Sequence, residues 1–394
     1  MEILSVNAGS SSLKFTLFEL PFEKVVVSGT FEKIGIDGSF YTIKYNGEKI
    51  RKEAKLKDHT DAVKILMNEL IDMKILDSYD DLDAVGHRVV HGGDTYFDSI
   101  IITKEVEEKI EELIPLGPLH NPANLTGIRS FKKILPKTPQ VAVFDTAFHQ
   151  TMSDEEYLYA VPMEWYEKFA VRKYGFHGTS HKYIATKMRE IIGEDKKIIS
   201  CHLGNGASLC AIKDGKCVDT SMGFAPLAGF IMGTRSGDVD PSIIPYVMSK
   251  TGETVDDVLN DLNKKSGMLA LSGVSSDMRD IEEAYLNKDP RCIRAMNMYI
   301  KHIANYLSMY NTLLEGTDYI VFTAGIGENS NLVRKLLIDK FKFMGVKLDE
   351  EKNNQRGISG EISTEDSTIK VVVLPTDEEL MIAKDTYNLV NQEK

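Results

Sequence analysis

Leu4-Ser5-Val6-Asn7-Ala8-Gly9-Ser10-Ser11-Ser12-Leu13-Lys14-Phe15 decides how the rest of this 394-residue chain is read. Residues 3–6 and 13–17 are short apolar runs with β character, and the Asn-Ala-Gly-Ser-Ser-Ser between them is small, polar and turn-forming. Such a tip exposes backbone N–H groups and hydroxyls with no bulky side chain to keep a phosphate away. Asn7 adds a neutral oxygen and Lys14 a cation. Taken alone, the segment fits an ordinary polar β-turn equally well. A second copy changes the reading. Ile198-Ile199-Ser200-Cys201-His202-Leu203-Gly204-Asn205-Gly206-Ala207-Ser208-Leu209 is again an apolar run, a Gly/Asn/Ser tip and another apolar run. The chain therefore reads as a duplication, each copy opening a similar series of elements.

Length and composition set the bounds. At 394 residues with 42% apolar content the chain can fill two cores. A formal net charge of −12 argues against nucleic acid or an anionic membrane surface as the main partner, so a polyanion would have to be held by a few placed cations. Cys201, Cys210, Cys217 and Cys292 form no C-x-x-C pair, which suits reduced thiols. With no basic-then-apolar leader pattern and no long uncharged run free of Pro and Gly, a soluble cytoplasmic protein is expected.

Along the first copy, residues 24–31 and 40–45 read as further strands, 61–75 as a helix, 84–90 as a strand entering His91-Gly92-Gly93, 121–135 as a helix and 140–144 as a buried strand. An aromatic-rich connection follows, with Gly175-Phe176-His177-Gly178 as a loop and 181–192 as a helix. The pattern then restarts. Strands at 198–201, 208–212 and 217–219 lead through a long insertion to a helix at 293–314. A strand at 319–323, a helix at 332–341, a strand at 370–374 and a helix at 378–390 complete it. Antiparallel strands followed by alternating helices and strands imply a mixed sheet covered on both faces. Two such units around a cleft would make the duplicated actin-like (ribonuclease H-like) α/β architecture of sugar kinases and heat-shock ATPases.

Several residues could do chemistry. Gly204-Asn205-Gly206 and Gly325-Ile326-Gly327-Glu328-Asn329 could hold a nucleotide, or could be tight turns; the second lies between a strand and a helix. No G-x-x-x-x-G-K-[ST] and no D-F-G occurs. Seven of the nine histidines fall between His87 and His202. Zinc is nonetheless disfavoured: the i,i+4 pairs His87/His91 and His177/His181 lack the H-E-x-x-H glutamate, and Gly178 interrupts a helix that would present both rings of the second pair. Arg88 and Arg235 sit beside glycines, as guanidinium groups aimed at an anion would, or as members of surface ion pairs. Asp145 ends an apolar strand, where carboxylates meet the cleft of α/β folds. Glu378 either faces that cleft or caps a helix, with Thr376 and Glu379 making a capping box beside it.

Taken together, these segments resemble the acetokinase family along nearly the whole chain. Val6-Asn7-Ala8-Gly9-Ser10-Ser11-Ser12-Leu13-Lys14, Gly86-His87-Arg88-Val89-Val90-His91-Gly92-Gly93, Phe176-His177-Gly178-Thr179-Ser180-His181, His202-Leu203-Gly204-Asn205-Gly206-Ala207-Ser208 and Gly325-Ile326-Gly327-Glu328-Asn329 look like its signatures, in its order. The resemblance implies reversible, direct in-line transfer of the γ-phosphoryl of ATP to acetate, giving acetyl phosphate and ADP. Mg²⁺ is the implied metal, with Mn²⁺ able to substitute. It implies Asn7 and Glu378 on the metal side, and Lys14, His202, Leu203, Gly204, Asn205, Gly206, Asp277, Met278, Arg279, Gly325, Ile326, Gly327, Glu328 and Asn329 on the nucleotide. Arg88 would hold the carboxyl group, with Val90, Leu119, Phe176 and Pro226 around the methyl. His177 and Arg235 would stabilise the phosphoryl, with Asp145 as acid/base residue or, since acetate is already ionised at neutral pH, as an orienter of magnesium or its waters.

It further implies a first domain at 1–149 that regains the C-terminal helix at about 380–394, a second at 150–379, an interdomain active-site cleft and a homodimer. Two other classes are a non-kinase actin-fold ATPase, which needs no acceptor site, and a phosphatase-like hydrolase, which needs a positioned water. Within the family, propionate and other short-chain carboxylate kinases are the alternative.

Overall fold

In a computed structural model, residues 1–193, 196–355 and 357–392 are described, and the chain divides into two compact units. One comprises Met1–Gln150 with the segment from Asp377 onward, the other Thr151–Thr376.

The first unit holds β1 (Glu2–Ala8), β2 (Ser12–Glu19), β3 (Lys24–Glu32), β4 (Phe40–Tyr45), β5 (Glu48–Glu53), β6 (Ala84–Val89), β7 (Ile100–Ile101) and β8 (Gln140–Phe144) in one sheet of order β5-β4-β3-β2-β1-β6-β8-β7. β1 and β2 pair antiparallel with Asn7 opposite Lys14, while β1–β6 and β6–β8 are parallel. Consecutive residues of β1 and β2 are buried because helices cover both faces. His59–Asp72 and Asn121–Ile134 pack together, the latter also against β1 and β6, and the helix Glu378–Gln392 packs against β1, β6 and β8. A methyl group on Gly86 of β6 would meet Thr386 Oγ1 at 2.2 Å, so only glycine lets that last helix lie so close.

The second unit repeats the plan. β9 (Lys197–Leu203), β10 (Ala207–Lys213), β11 (Lys216–Thr220), β12 (Tyr319–Thr323), β13 (Gly360–Glu361) and β14 (Lys370–Val373) run in the order β11-β10-β9-β12-β14-β13. Three consecutive antiparallel strands, where the first unit has five, are followed as there by two parallel ones and a short antiparallel edge. The duplication read from the two tips is thus the duplication of the fold, an α/β structure with two mixed sheets. The helix Pro290–Leu313 buries Cys292, Ala295, Met296, Tyr299, Ile300, Ile303, Leu307 and Tyr310, a stripe at helical spacing. Asp289 caps it by accepting from the N–H groups of Arg291 and Cys292.

Three local expectations change. The glycine-rich 325–329 segment is not a loop before a helix: it forms the short helix Ala324–Asn329, entered through Ala324 at φ 62. Gly178 does not interrupt the next helix but begins it, as Gly178–Ile192, with His177 at the N-cap. The C-terminal helix is not closed by a Thr376/Glu379 capping box. Asp377 Oδ1 accepts from Leu380 N–H at 2.9 Å, while Thr376 Oγ1 lies 2.9 Å from Ser180 Oγ and Glu379 pairs with Lys14. That helix is described as Glu378–Gln392, and the expected residues 393 and 394 lie outside the described residues. Among the described residues no helix is long and apolar enough to cross a membrane.

Candidate active site

In the first unit the strand ends gather charge. Arg88, next to last in β6, reaches the neighbouring strand end. Its Nε donates to both oxygens of Asp145 at 3.2 and 3.0 Å, and Nη2 donates to Oδ2 at 2.6 Å. The Asp145 side chain is only 2% exposed, so this is a buried pair and not one of the surface pairs that sequence leaves open. The carboxylate, with Glu378 and Glu379 behind it, raises the guanidinium pKa despite burial. Glu378, in the first turn of the last helix, has no hydrogen-bonded side-chain partner among the described residues. Burial pushes its carboxyl up to about 7; Arg88 lowers it, and Asp145 and Glu379 raise it. Lys14, expected on the nucleotide, is exposed in this unit and paired with Glu379.

Asp145 and Glu378 are desolvated carboxyls under the influence of one guanidinium, and Asn7, next to last in β1, carries an amide oxygen. An all-oxygen donor set with surplus negative charge suits a hard divalent cation, so the residues fit magnesium on chemical grounds. Val90, beside Arg88, is buried, with its N–H held by Asn124 Oδ1 at 3.1 Å. Leu119 is 76% exposed.

The second unit assembles a different set. A cleft of about 620 Å³, within the usual size of small-molecule sites, is lined by Gly204 and Asn205 from the β9–β10 tip. Asp277, Met278 and Arg279 line it from the start of the helix Met278–Leu286, and Gly325, Ile326 and Asn329 from the short helix. The structure brings these eight expected residues together. Leu203, Gly327, Glu328, His202 and Gly206 lie behind or beside them. Leu203 and Gly327 are buried, and Glu328 Oε1 accepts from Thr376 N–H at 3.3 Å. Arg334, 1% exposed, donates to the carbonyls of Gly327 and Glu328 and to Asn353, and so pins the short helix from below. Desolvation lowers its pKa to about 10. Sequence reasoning passed over Ser276, Glu282 and Ser330, which also line the cleft. Glu282 falls one turn after Met278, a spacing that could have drawn notice; its carboxylate accepts from Ser330 Oγ.

The tip also holds the phosphoryl candidates. Gly233 packs so tightly on it that a methyl group would meet Asn205 Oδ1 at 1.7 Å, and its N–H donates to Asn205 O at 2.9 Å. This brings Arg235 to the tip. A methyl group on Gly206 would sit 3.3 Å from Arg235 Nη1 and 3.6 Å from His177 Nε2. Arg235 donates only to Pro226 O and to the Met232 sulfur, with no carboxylate partner among the described residues, and desolvation lowers its pKa. His177 stands at φ 58, a left-handed backbone unusual for a side chain of this size, stacked on His202 with centroids 4.2 Å apart. Both His177 and His181 lie 2.9 Å from Ser208 Oγ, so Gly178 does not keep the two rings apart, and hydroxyls hold them. Phe176 is buried and Pro226 half-buried.

Comparison with known proteins agrees over the full length. The acetokinase family model matches residues 2–384. The chain is 53% identical to the acetate kinase of Bacillus subtilis over 391 residues, 98% of this chain and 99% of the relative. Among solved structures it superposes on the acetate kinase of Porphyromonas gingivalis with a TM-score of 0.94 at 46% identity, covering 99% of each chain. It superposes on a propionate kinase of Francisella tularensis with a TM-score of 0.92 at 41% identity, covering 98% of this chain and 99% of that one. With family signatures, strand order and near-complete coverage in agreement, the chain belongs to the acetokinase family.

Proposed function

We propose that this chain transfers the γ-phosphoryl group of ATP to acetate, reversibly, giving acetyl phosphate and ADP. The observation that carries it is Arg235, a half-buried guanidinium without a carboxylate partner, beside His177 at the edge of a nucleotide-sized cleft. Phosphoryl transfer asks for cations and donors around spreading charge more than for a covalent partner, and that is what this set supplies.

In this reading the eight cleft residues hold the nucleotide, with His202, Leu203, Gly206, Gly327 and Glu328 as the shell behind them. Arg235 and His177 Nε2 donate to the phosphoryl oxygens. Arg88, held rigid by Asp145, binds the acetate carboxylate. Transfer requires both sets to serve one phosphoryl group. Because the acceptor is already an anion, Asp145 has no proton to remove, and its work is to position Arg88. Asn7 and Glu378 would hold Mg²⁺ or Mn²⁺. When bound, the cation neutralises charge on the phosphate oxygens. Lys14 would turn to the nucleotide only by leaving Glu379. Val90, Leu119, Phe176 and Pro226 are the proposed surroundings of the methyl group.

A homodimer and a cytoplasmic location are part of the proposal. The helices Ile243–Thr251 and Val255–Lys264 expose Ile243, Tyr246, Val255 and Leu259, and nothing in the first of them is buried, an apolar surface suited to a second copy. All four cysteines are buried and none forms a disulfide among the described residues, as suits a reducing compartment.

A coupled assay of ADP release with and without acetate tests the reading. Turnover that requires acetate and yields acetyl phosphate is expected. Equal turnover without acetate would favour an ATPase, and equal kcat/KM for acetate and butyrate would leave only a general short-chain acyl kinase.

A further inference from the structure

Behind His177 lies a chain of side chains that the reaction as described does not use. Ser208 Oγ is 2.9 Å from His177 Nδ1 and 2.9 Å from His181 Nε2, and Ser200 Oγ is 2.9 Å from His181 Nδ1. Ser200, Ser208 and His181 are all fully buried. The fold sets the spacing. His177 and His181 stand one helical turn apart, while Ser200 is opposite Cys210 in the β9–β10 ladder, so Ser200 and Ser208 are diagonal neighbours on one face of the sheet.

The direction of these hydrogen bonds follows from the far end. Among the described residues Ser200 Oγ has one partner, His181 Nδ1. A buried O–H that is not donated costs more than an unfilled lone pair, so Ser200 donates to His181 Nδ1. His181 then carries its proton on Nε2 and donates it to Ser208. The hydrogen of Ser208 is left for its other partner, His177 Nδ1. A neutral His177 that accepts at Nδ1 has its proton on Nε2, the nitrogen beside Arg235 and Gly206.

We propose that Ser200, His181 and Ser208 form a one-way hydrogen-bond relay that fixes His177 as the Nε2–H tautomer and so makes it a donor toward an anion. This rests on His177 facing the transferring phosphoryl. The opposite tautomer would turn a lone pair toward the phosphate oxygens and repel them. The three relay members are positioning residues, since none has to touch substrate.

Nitrogen-15 NMR of the full chain labelled at histidine, with His177 assigned through His177→Gln, reads the tautomer directly. In the unmutated protein, Nδ1 of His177 is expected to be bare and Nε2 protonated. Ser208→Ala should turn that signature into a mixture and lower kcat severalfold, short of the ~10²–10³-fold that outright loss of one transition-state donor costs, while both KM values stay within about twofold. Ser208→Thr, which keeps the hydroxyl, should restore both the signature and the rate. Ser200→Ala, two links away, should shift the His181 signature first and that of His177 less. A proton on Nδ1 of His177 in the unmutated chain would overturn the relay, as would an unchanged tautomer in folded Ser208→Ala. Failure of acetate-dependent turnover in the unmutated chain would sink the kinase reading alone, because the tautomer is measured independently of activity.

Discussion

The two candidate arginines, one in each unit, are built in opposite ways. Arg88 is clamped by a carboxylate that is itself 2% exposed, so its geometry is fixed and much of its charge is answered within its own unit. Arg235 donates to a backbone carbonyl and a thioether, and burial lowers its pKa with no carboxylate to offset it. The first arrangement suits a group that orients an acceptor throughout the cycle. The second suits one whose charge is reserved for the moment when a phosphoryl carries most of its own. From sequence the two arginines read alike, as guanidinium groups beside glycines, and the structure separates them.

The largest effect should come from Arg235→Ala. An arginine on a transferring phosphoryl can be worth ~10³–10⁵ in rate. Loss of a desolvated, unpaired charge should leave thermal stability unchanged or raised. Lysine should rescue poorly, because a point charge cannot reproduce the planar fork. A melting temperature that falls with activity would show that Arg235 has a structural partner after all, and the contrast with Arg88 would fail.

Arg88→Ala should lose activity and also about 3–5 kcal/mol of stability in denaturant titration, since it strands Asp145 as a buried charge. Adding Asp145→Ala should return most of the stability and none of the activity. If the double variant is no more stable than the single one, the pair is not the reason for the loss.

Val90, the neighbour of Arg88, tests acceptor selection without touching charge. In the apolar acceptor pocket proposed for it a methylene is worth ~1–3 kcal/mol, so propionate should be used more slowly than acetate and butyrate poorly. Val90→Ala should raise the relative kcat/KM for propionate, while formate, with no methyl to bury, gains nothing. Equal gains for all three acids would mean that Val90 acts through Arg88 and not through the acceptor chain.

The smallest effects separate two adjacent acids. Asp377→Ala removes a helix cap and should cost about 1 kcal/mol without changing the magnesium optimum. Glu378→Ala should raise the magnesium requirement with little change in melting, the reverse pattern. Glu378 also predicts a pH slope in metal-free protein. Its carboxyl is raised from 4.5 to about 7 in the fold, so between those values the folded chain keeps a proton that the unfolded chain has released, and stability falls as pH rises toward 7. Glu378→Gln should flatten that part of the curve.

The parts legible in the sequence are those governed by local pattern. The two tips, the apolar strands and the helix stripes followed from periodicity, and Arg88 and Arg235 from their glycine settings. Long-range choices stayed hidden. β5 is Glu48-Lys49-Ile50-Arg51-Lys52-Glu53, a polar edge strand with no alternation to detect, held by pairing with β4 and by Lys52, which donates to Glu69 of the helix His59–Asp72 at 2.7 and 2.9 Å. Thr376 and Glu379 have the spacing of a capping box, yet Ser180 and Lys14 take their side chains and leave the cap to Asp377. The relay through Ser208 joins residues more than thirty positions apart in sequence to no motif, and only the β9–β10 register reveals it.

The central claim is that the second unit holds the nucleotide and that Arg88 of the first serves the acceptor. Calorimetric titration of ADP into two variants tests it most directly. A methyl group on Gly325 meets no protein atom within 4 Å, so Gly325→Leu should leave the fold intact while filling the cleft. Arg88→Lys keeps a cation beside Asp145. ADP affinity should fall at least about tenfold in Gly325→Leu, a loss of ~1.4 kcal/mol or more, and stay within about twofold of the unmutated protein in Arg88→Lys. Unchanged affinity in Gly325→Leu together with a large loss in Arg88→Lys would contradict the assignment.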